Sequence, residues 1–248
     1  MRVAALYDIH GNLPALEAVL EHVRRERVDQ IVIGGDVVLG PMPSETLERL
    51  LDLDMPVQFI RGNCDREVTE QLHGSYRGTA PEQIQGAIRW VGHQLSAAQQ
   101  RELAGWPQTL SVEIPALGDV LFCHATPRND NEIFTRLTSE DRLAPIFGST
   151  AANVVVCGHT HMQFDRTIGK TRVVNAGSVG MPFGEPDADW LLLGPGLEFQ
   201  HTPYDLRLAA KRVRETQYPQ AEDFAAHYIL QPPSESKMLE VFSRSELT

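Results

Sequence analysis

Cysteine is scarce in this 248-residue chain: Cys64, Cys123 and Cys157 are odd in number and widely spaced. That sets aside a disulfide scaffold and a zinc knuckle and points to a reducing setting. No apolar run approaches the roughly 20 residues that cross a bilayer, so a membrane-spanning helix is not expected. Positive charge is short as well. The formal net charge is -11 and lysine occurs only as Lys170, Lys211 and Lys237, which leaves no basic stripe to displace counterions from nucleic acid or anionic lipid. A Gly-rich phosphate loop with its Lys is missing after the first strand, where Gly11 stands alone, and a nucleotide-binding kinase or dehydrogenase is set aside. Residues 1–7 read as a strand running into Asp8, without the basic, apolar and small-residue segments of a secretion signal. The expectation is a cytoplasmic protein, and fractions of 42% hydrophobic and 22% charged residues are those of a globular one.

What is present is a set of short runs rich in Val, Ile, Leu and Phe, at 3–7, 30–34, 57–61, 120–124 and 154–157, each ending in a polar or Gly-containing loop as buried strands do. Between the first two, Leu13, Leu16, Val19, Leu20 and Val23 recur at three- and four-residue spacing behind Asn12 and Pro14, which predicts an amphipathic helix capped by Asn12. A second helix over 45–53, capped by Ser44, repeats the unit. Right-handed crossovers then place three strand ends on one edge of a parallel sheet, where ligands gather. Residues 81–106 read as a helical insertion with Ile84, Ile88, Val91 and Leu95 on one stripe. Hairpins pairing 109–114 with 120–124, 163–167 with 172–175, and 190–193 with 197–201 predict a second, mostly antiparallel sheet. A helix over 205–216 returns to the body, and a looser tail starts at about 232. Residues 1–248 are read as one domain.

Five polar segments lie just past the apolar runs and supply Asp8, His10, Asp36, Asn63, His124, His159 and His161. Any one of them alone is better explained as a surface loop; together, at successive strand ends, they read as one site for two divalent ions. Asp36, with two carboxylate oxygens, can bridge. The remaining histidines, His22, His73, His93, His201 and His227, fall in helix-like or terminal stretches, and Cys123 and Cys157 read as small core residues.

With these segments in order, the chain resembles the calcineurin-like metallophosphoesterase superfamily, whose motifs stand here as Asp8-Ile9-His10, Gly35-Asp36, Gly62-Asn63-Cys64-Asp65, His124 and Gly158-His159-Thr160-His161. Asp8 through Asn12 and Asn175 through Gly180 are similar to its small bacterial and archaeal phosphodiesterases. The resemblance implies an α/β fold, a two-sheet αββα-type sandwich with flanking helices. It gives one ion Asp8, His10, Asp36 and His161, and the other Asp36, Asn63, His124 and His159. Mn is the first choice for both, with Fe, Zn, Ni or Co as alternatives. It implies hydrolysis of a small phosphodiester or activated phosphomonoester by a hydroxide bridging the ions, with Asp36, Asn63, Cys64 and Asp65 as catalytic residues.

Cys64 departs from the pattern, because many relatives carry there a His taken to protonate the leaving oxygen, and a thiol is a weak donor. Asp65 is the substitute to weigh, against a helix-capping role. Arg128 and Asn12 are the candidate substrate-binding residues. Alternative readings are a protein phosphatase, a dinucleoside polyphosphate hydrolase, or a non-catalytic metal-binding scaffold such as the retromer subunit that resembles this family. A small phosphoester is the expected partner, and a homo-oligomer is left open.

Overall fold

A computed structural model describes residues 1–247. The first sheet grows from β1 (Val3–Leu6), α1 (Leu13–Glu26), β2 (Gln30–Ile33), α2 (Pro43–Leu51) and β3 (Val57–Phe59), with the three strands parallel as expected. The second contains β4 (Thr109–Ile114), β5 (Gly118–Cys123), β6 (Val154–Cys157), β7 (Phe164–Ile168) and β8 (Thr171–Asn175). Its order is β4-β5-β6-β8-β7, and the β5-β6 and β6-β8 pairs are parallel. This sheet is mixed rather than mostly antiparallel.

The third predicted hairpin forms, as β9 (Ala188–Leu193) and β10 (Leu197–Thr202), but it joins the first sheet, whose order is β10-β9-β1-β2-β3. The reason lies in β9. Leu191 and Leu193 face the space between the sheets, while Trp190 and Leu192 face the outer helices, and all four are buried. A strand apolar on both faces needs cover on both, and the place beside the fully buried β1 provides it.

Alternation along the strands builds the layers. Val3, Ala5 and Val32 meet Val120, Phe122, Val154, Val156 and Val174 between the sheets. Ala4, Leu6, Ile31 and Ile33 turn outward onto Leu16, Val19, Leu20 and Val23 of α1. On the far side, Cys123, Val155, Cys157 and Val173 pack on Leu143, Ile146 and Phe147 of α6 (Glu140–Phe147). Each large side chain so buried stabilises the fold by roughly 1.5–3 kcal/mol before entropy is counted. The result is the two-sheet sandwich with flanking helices.

Several local expectations change. Helix α2 starts at Pro43 behind Met42, and the Ser44 hydroxyl donates to Gln99 Oε1 (3.1 Å) instead of capping. The insertion is two helices, α4 (Glu82–Gln94) and α5 (Ala97–Gly105), divided by a capping box in which Ser96 and Gln99 bond each other's N–H. Two helices were not foreseen, α3 (Asn63–Leu72) and α6. Beyond α7 (Leu206–Arg214), α8 (Ala221–Phe224) runs into a π-helical turn, Ala225–Leu230. The carboxy-terminal segment is not loose. It forms α9 (Glu235–Phe242) and is tied back by Arg136 to Glu235, by Arg142 and Thr138 to Glu246, and by Phe242 against Phe183.

Candidate metal centre

The parallel strands of both sheets end along one edge, and the five polar segments leave from it. Their loops are laced together: Asp8 N–H donates to Gly35 O (3.1 Å), His10 N–H to Asp36 O (2.9 Å), and Gly158 N–H to His124 O (2.8 Å). Within this lacing Asp8, His10, Asp36, His159 and His161 adopt positive φ, between 48° and 66°. L-residues resist that hand by roughly 1–2 kcal/mol each. Five such residues at one site mark it as functional.

Each carboxylate has one oxygen tied to the backbone and one directed inward. Asp8 Oδ2 accepts from His159 N–H (2.8 Å), and Asp36 Oδ1 accepts from Cys64 N–H (2.9 Å) in the first turn of α3, where the helix dipole favours negative charge. The inward oxygens meet the imidazoles. Asp8 Oδ1 lies 3.4 Å from His161 Nε2, and Asp36 Oδ2 lies 3.5 Å from His124 Nε2 and 3.8 Å from His10 Nε2. Three histidines are oriented from behind: Nδ1 of His10, His124 and His161 bonds the carbonyls of Leu39 (3.2 Å), Gly34 (2.9 Å) and Met181 (2.8 Å). That fixes Nε2 as the atom presented to the centre.

Burial sets the charges. It opposes ionisation of Asp36, but His124, His10 and the Cys64 thiol hold that carboxyl well below its usual range. Asp8 is likewise buried and lowered by His161 and His124. Burial would depress the His124 ring, yet Asp36 and Asp8 carry it up to about 10, and its Nε2 bonds Asn63 Oδ1 (3.1 Å). Asp8 similarly raises His161 against burial. Burial and the His124 charge bring His159 down to about 4, and burial lowers His10.

The donor set fits cations. Asp8 Oδ1 and His159 Nε2 are buried atoms without a hydrogen-bond partner, and leaving such groups unmatched costs about 1–3 kcal/mol each. Ligand atoms fall into groups within 4.8 Å of one another: Asp8, His10 and His161; Asp36, His124 and His159; and His10, Asp36 and Cys64. The groups meet at His10 and Asp36.

Residues 1–193 match the model of the calcineurin-like phosphoesterase superfamily domain. The chain belongs to this superfamily. It is 29% identical over 203 residues to phosphodiesterase YfcE of Escherichia coli K12, covering 78% of this chain and 87% of the relative. Among solved structures, a metallophosphoesterase from Sphaerobacter thermophilus is 25% identical with a TM-score of 0.70, covering 91% and 97% of the two chains. PH1004 of Pyrococcus horikoshii shares the fold with a TM-score of 0.79 at 21% identity, over 94% and 99%. As a member of the superfamily, the chain is a metal-dependent phosphoester hydrolase.

Asp8, His10, Asp36, Asn63, His124, His159 and His161 all converge on the centre. His22, by contrast, bonds Thr202, His201 pairs with Asp189, and His73, His93 and His227 are exposed. Three further predicted site residues have structural partners. Asp65 is fully buried and accepts from the N–H groups of Val37 (3.0 Å), Val38 (3.3 Å) and Gly62 (3.1 Å), although burial and Asp36 push it up to about 7. It holds the loops together and caps α3. Asn12 is also fully buried, capping α1 through Ala15 N–H and donating to Gly180 O (2.9 Å). Arg128 pairs with Glu132 at 2.6 Å, its side chain more than half exposed.

Supporting residues had weaker signals. Ser178 Oγ donates to Asp8 O (2.8 Å), and Asn175 Nδ2 donates to Gly158 O (2.6 Å) and Thr160 Oγ1 (3.1 Å), steadying both ligand turns. Their segment, Asn175 through Gly180, was legible as a similarity without a role. Phe183 was not singled out. It stacks on His161, with ring centroids 5.2 Å apart, and walls a cleft of about 450 Å³ bordered by Glu185, Asp187, Asp189 and Glu235.

Proposed function

We propose that this protein hydrolyses small phosphodiesters with two divalent transition-metal ions, Mn being the expected one. The observation that carries the two-ion reading is Asp36 Oδ2, placed between His10 Nε2 at 3.8 Å and His124 Nε2 at 3.5 Å. Asp8, His10, Asp36 and His161 would hold one ion, and Asp36, Asn63, His124 and His159 the other. When bound, the ions would supply Lewis acidity for phosphoester hydrolysis and lower the pKa of a water.

The residues divide the remaining work. Asp8 and Asp36, kept ionised, supply charge to hold cations; His159, neutral because burial brings it down to about 4, offers its nitrogen without losing a proton. The carbonyl bonds behind His10, His124 and His161 hold each Nε2 toward the centre before any ion or substrate arrives. Asp65 is bound to three backbone N–H groups through both oxygens, which argues against it standing in for the His that many relatives carry at position 64. An ester whose alcohol leaves unaided is the better substrate.

A diester is favoured over a monoester by charge. Arg66 and Arg128, on the segments after Asn63 and His124, are paired with Asp130 and Glu132, so a second phosphate charge would compete with those carboxylates for them. The acidic walls of the neighbouring cleft disfavour polyphosphates for the same reason. A cytoplasmic setting, with all three cysteines free, belongs to the same proposal, and residues 1–248 are taken as one domain; among the described residues no helix is long and apolar enough to cross a membrane.

The test is elemental analysis after Mn loading, followed by turnover of a bis-aryl phosphate and the matching aryl phosphate. Two ions per chain and faster diester cleavage are expected. One ion at saturation would overturn the dinuclear reading, and preference for the monoester would overturn the substrate class.

A further inference from the structure

We infer that Cys64 is a ligand of the ion held by His10 and Asp36, so that this centre carries a sulfur donor in addition to imidazole and carboxylate. The inference rests on the two-ion reading above and adds to it an atom that reading does not use.

Three observations converge. The Cys64 sulfur, an imidazole nitrogen of His10 and a carboxylate oxygen of Asp36 lie within 4.8 Å of one another, close to the separation of at most about 4.4 Å that metal–sulfur and metal–nitrogen bonds of about 2.3 and 2.0–2.1 Å allow around a single ion. Independently of the cysteine, Asp8 Oδ1, on a residue 0% exposed, makes no hydrogen bond and faces Nε2 of His161, His124 and His10 at 3.4, 3.8 and 4.0 Å. A cation is what that oxygen lacks. Finally, Asn63 divides its amide: Oδ1 meets His124 Nε2 (3.1 Å), whereas Nδ2 donates to Cys64 Sγ (3.6 Å). The sulfur accepts from Asn63 while its thiol proton is directed to Asp36, the proton an ion would replace, and Asn63 spans both halves of the centre.

Coordination would release the thiol proton to solvent as the sulfur lone pair is donated to the ion, since a coordinating thiol is deprotonated outright. The consequence is metal choice. Thiolate favours softer ions such as Co and Zn over Mn, so this half of the centre should discriminate against Mn more strongly than an all-nitrogen-and-oxygen site would. Cys123 and Cys157 supply no such donor, because both pack with Leu143, Ile146 and Phe147 on the far side of the second sheet.

The experiment titrates metal-free protein with Co(II) and records the near-ultraviolet absorption of the complex alongside the bound-metal count, in the natural chain and in Cys64→Ala and Cys64→Ser. We expect a thiolate-to-cobalt charge-transfer band in the natural chain and its loss in both variants, with the visible cobalt bands of the imidazole and carboxylate ligands retained. Co affinity at one of the two ions should fall by about 10–100-fold, the range that losing even an outer partner costs, and Mn affinity by less. Two cobalt ions bound without the band would overturn the sulfur ligand and leave the dinuclear reading intact. A band that persists in Cys64→Ala would assign it to another cysteine and overturn the inference. Failure to bind two ions at all would overturn both.

Discussion

The Nε2 atoms of His10 and His161 stand 3.3 Å apart, while their Nδ1 atoms bond the carbonyls of Leu39 and Met181. With each Nδ1 proton directed backward, two lone pairs face one another, and only a shared proton or a cation between them makes the contact favourable. The proton and the ion therefore compete for one place.

That competition sets a pH dependence. His124 is raised from an ordinary 6.5 to about 10 and His161 is raised with it. A histidine raised in the folded state contributes stability that is full below its unfolded pKa and is lost as pH climbs through the folded value. The metal-free protein should lose thermal stability between about pH 6.5 and pH 10, and metal loading near pH 7 should release protons. Melting in chelator across that window, with calorimetric loading in buffers of different ionisation enthalpy, measures both. A Tm in chelator that stays level would contradict the assignment.

Asp36→Asn should be the most damaging conservative change, because it removes a negative charge from the oxygen that both halves of the centre meet. Loss of kcat/KM should exceed the roughly 10–100-fold typical of an outer partner. His93→Ala, on an exposed face of α4, should leave activity unchanged. Comparable losses in the two variants would mean that the choice of histidines is wrong.

A methyl group separates two glycines. A Cβ at Gly62 would overlap Asp36 Oδ1 and come within 2.5 Å of Asp36 N, whereas one at Gly105 would meet nothing within 4 Å. Gly62→Ala should cost about 1–3 kcal/mol of overpacking and lose bound metal. Gly105→Ala, at the end of α5, should be neutral or stabilising by up to about 1 kcal/mol. Denaturant unfolding with metal analysis decides it, and full metal retention by Gly62→Ala would show that the loops yield.

Without a proton donor at position 64, aryl phosphodiesters should be cleaved better than alkyl ones, by up to the roughly 10²–10⁴-fold that general acid catalysis contributes. Cys64→His should narrow the difference. The measurement is kcat/KM for matched esters at constant metal loading, and an unchanged ratio would show that another group already protonates the alcohol.

The candidate ligands were legible in the sequence because their segments follow short apolar strands, buried in β1, β2 and β6 and only partly so in β3 before Asn63, so the same runs carried both the fold and the candidate chemistry. What escaped depended on tertiary partners. Asp65 reads as a free acid until Val37, Val38 and Gly62 are seen to occupy it. Helix α3 buries only Asp65 and Val68, and α6 carries Pro145 inside it, so neither announces itself by periodicity. The carboxy-terminal segment reads as loose because its anchors, Arg136 and Arg142, lie about a hundred residues earlier, with separations of 99 and 104. Hairpin pairing is local and was readable. Which sheet a hairpin joins depends on where both of its faces find cover.

Asp8 and His10 share, two positions apart, the backbone hand of His159 and His161, with Ile9 and Thr160 buried between them. One turn shape is therefore used twice, once from each sheet, and neither copy presents a complete ligand set by itself. Because the hand is unfavourable, each turn depends on the other: His159 N–H reaches Asp8 Oδ2, and Ser178, beyond the second sheet, holds Asp8 O. Ion uptake then serves as a checkpoint of assembly, reporting that the two sheets have docked rather than that either has formed. During refolding, tight metal binding should coincide with the final packing phase, and uptake by a species whose sheets are formed but not yet docked would contradict that dependence.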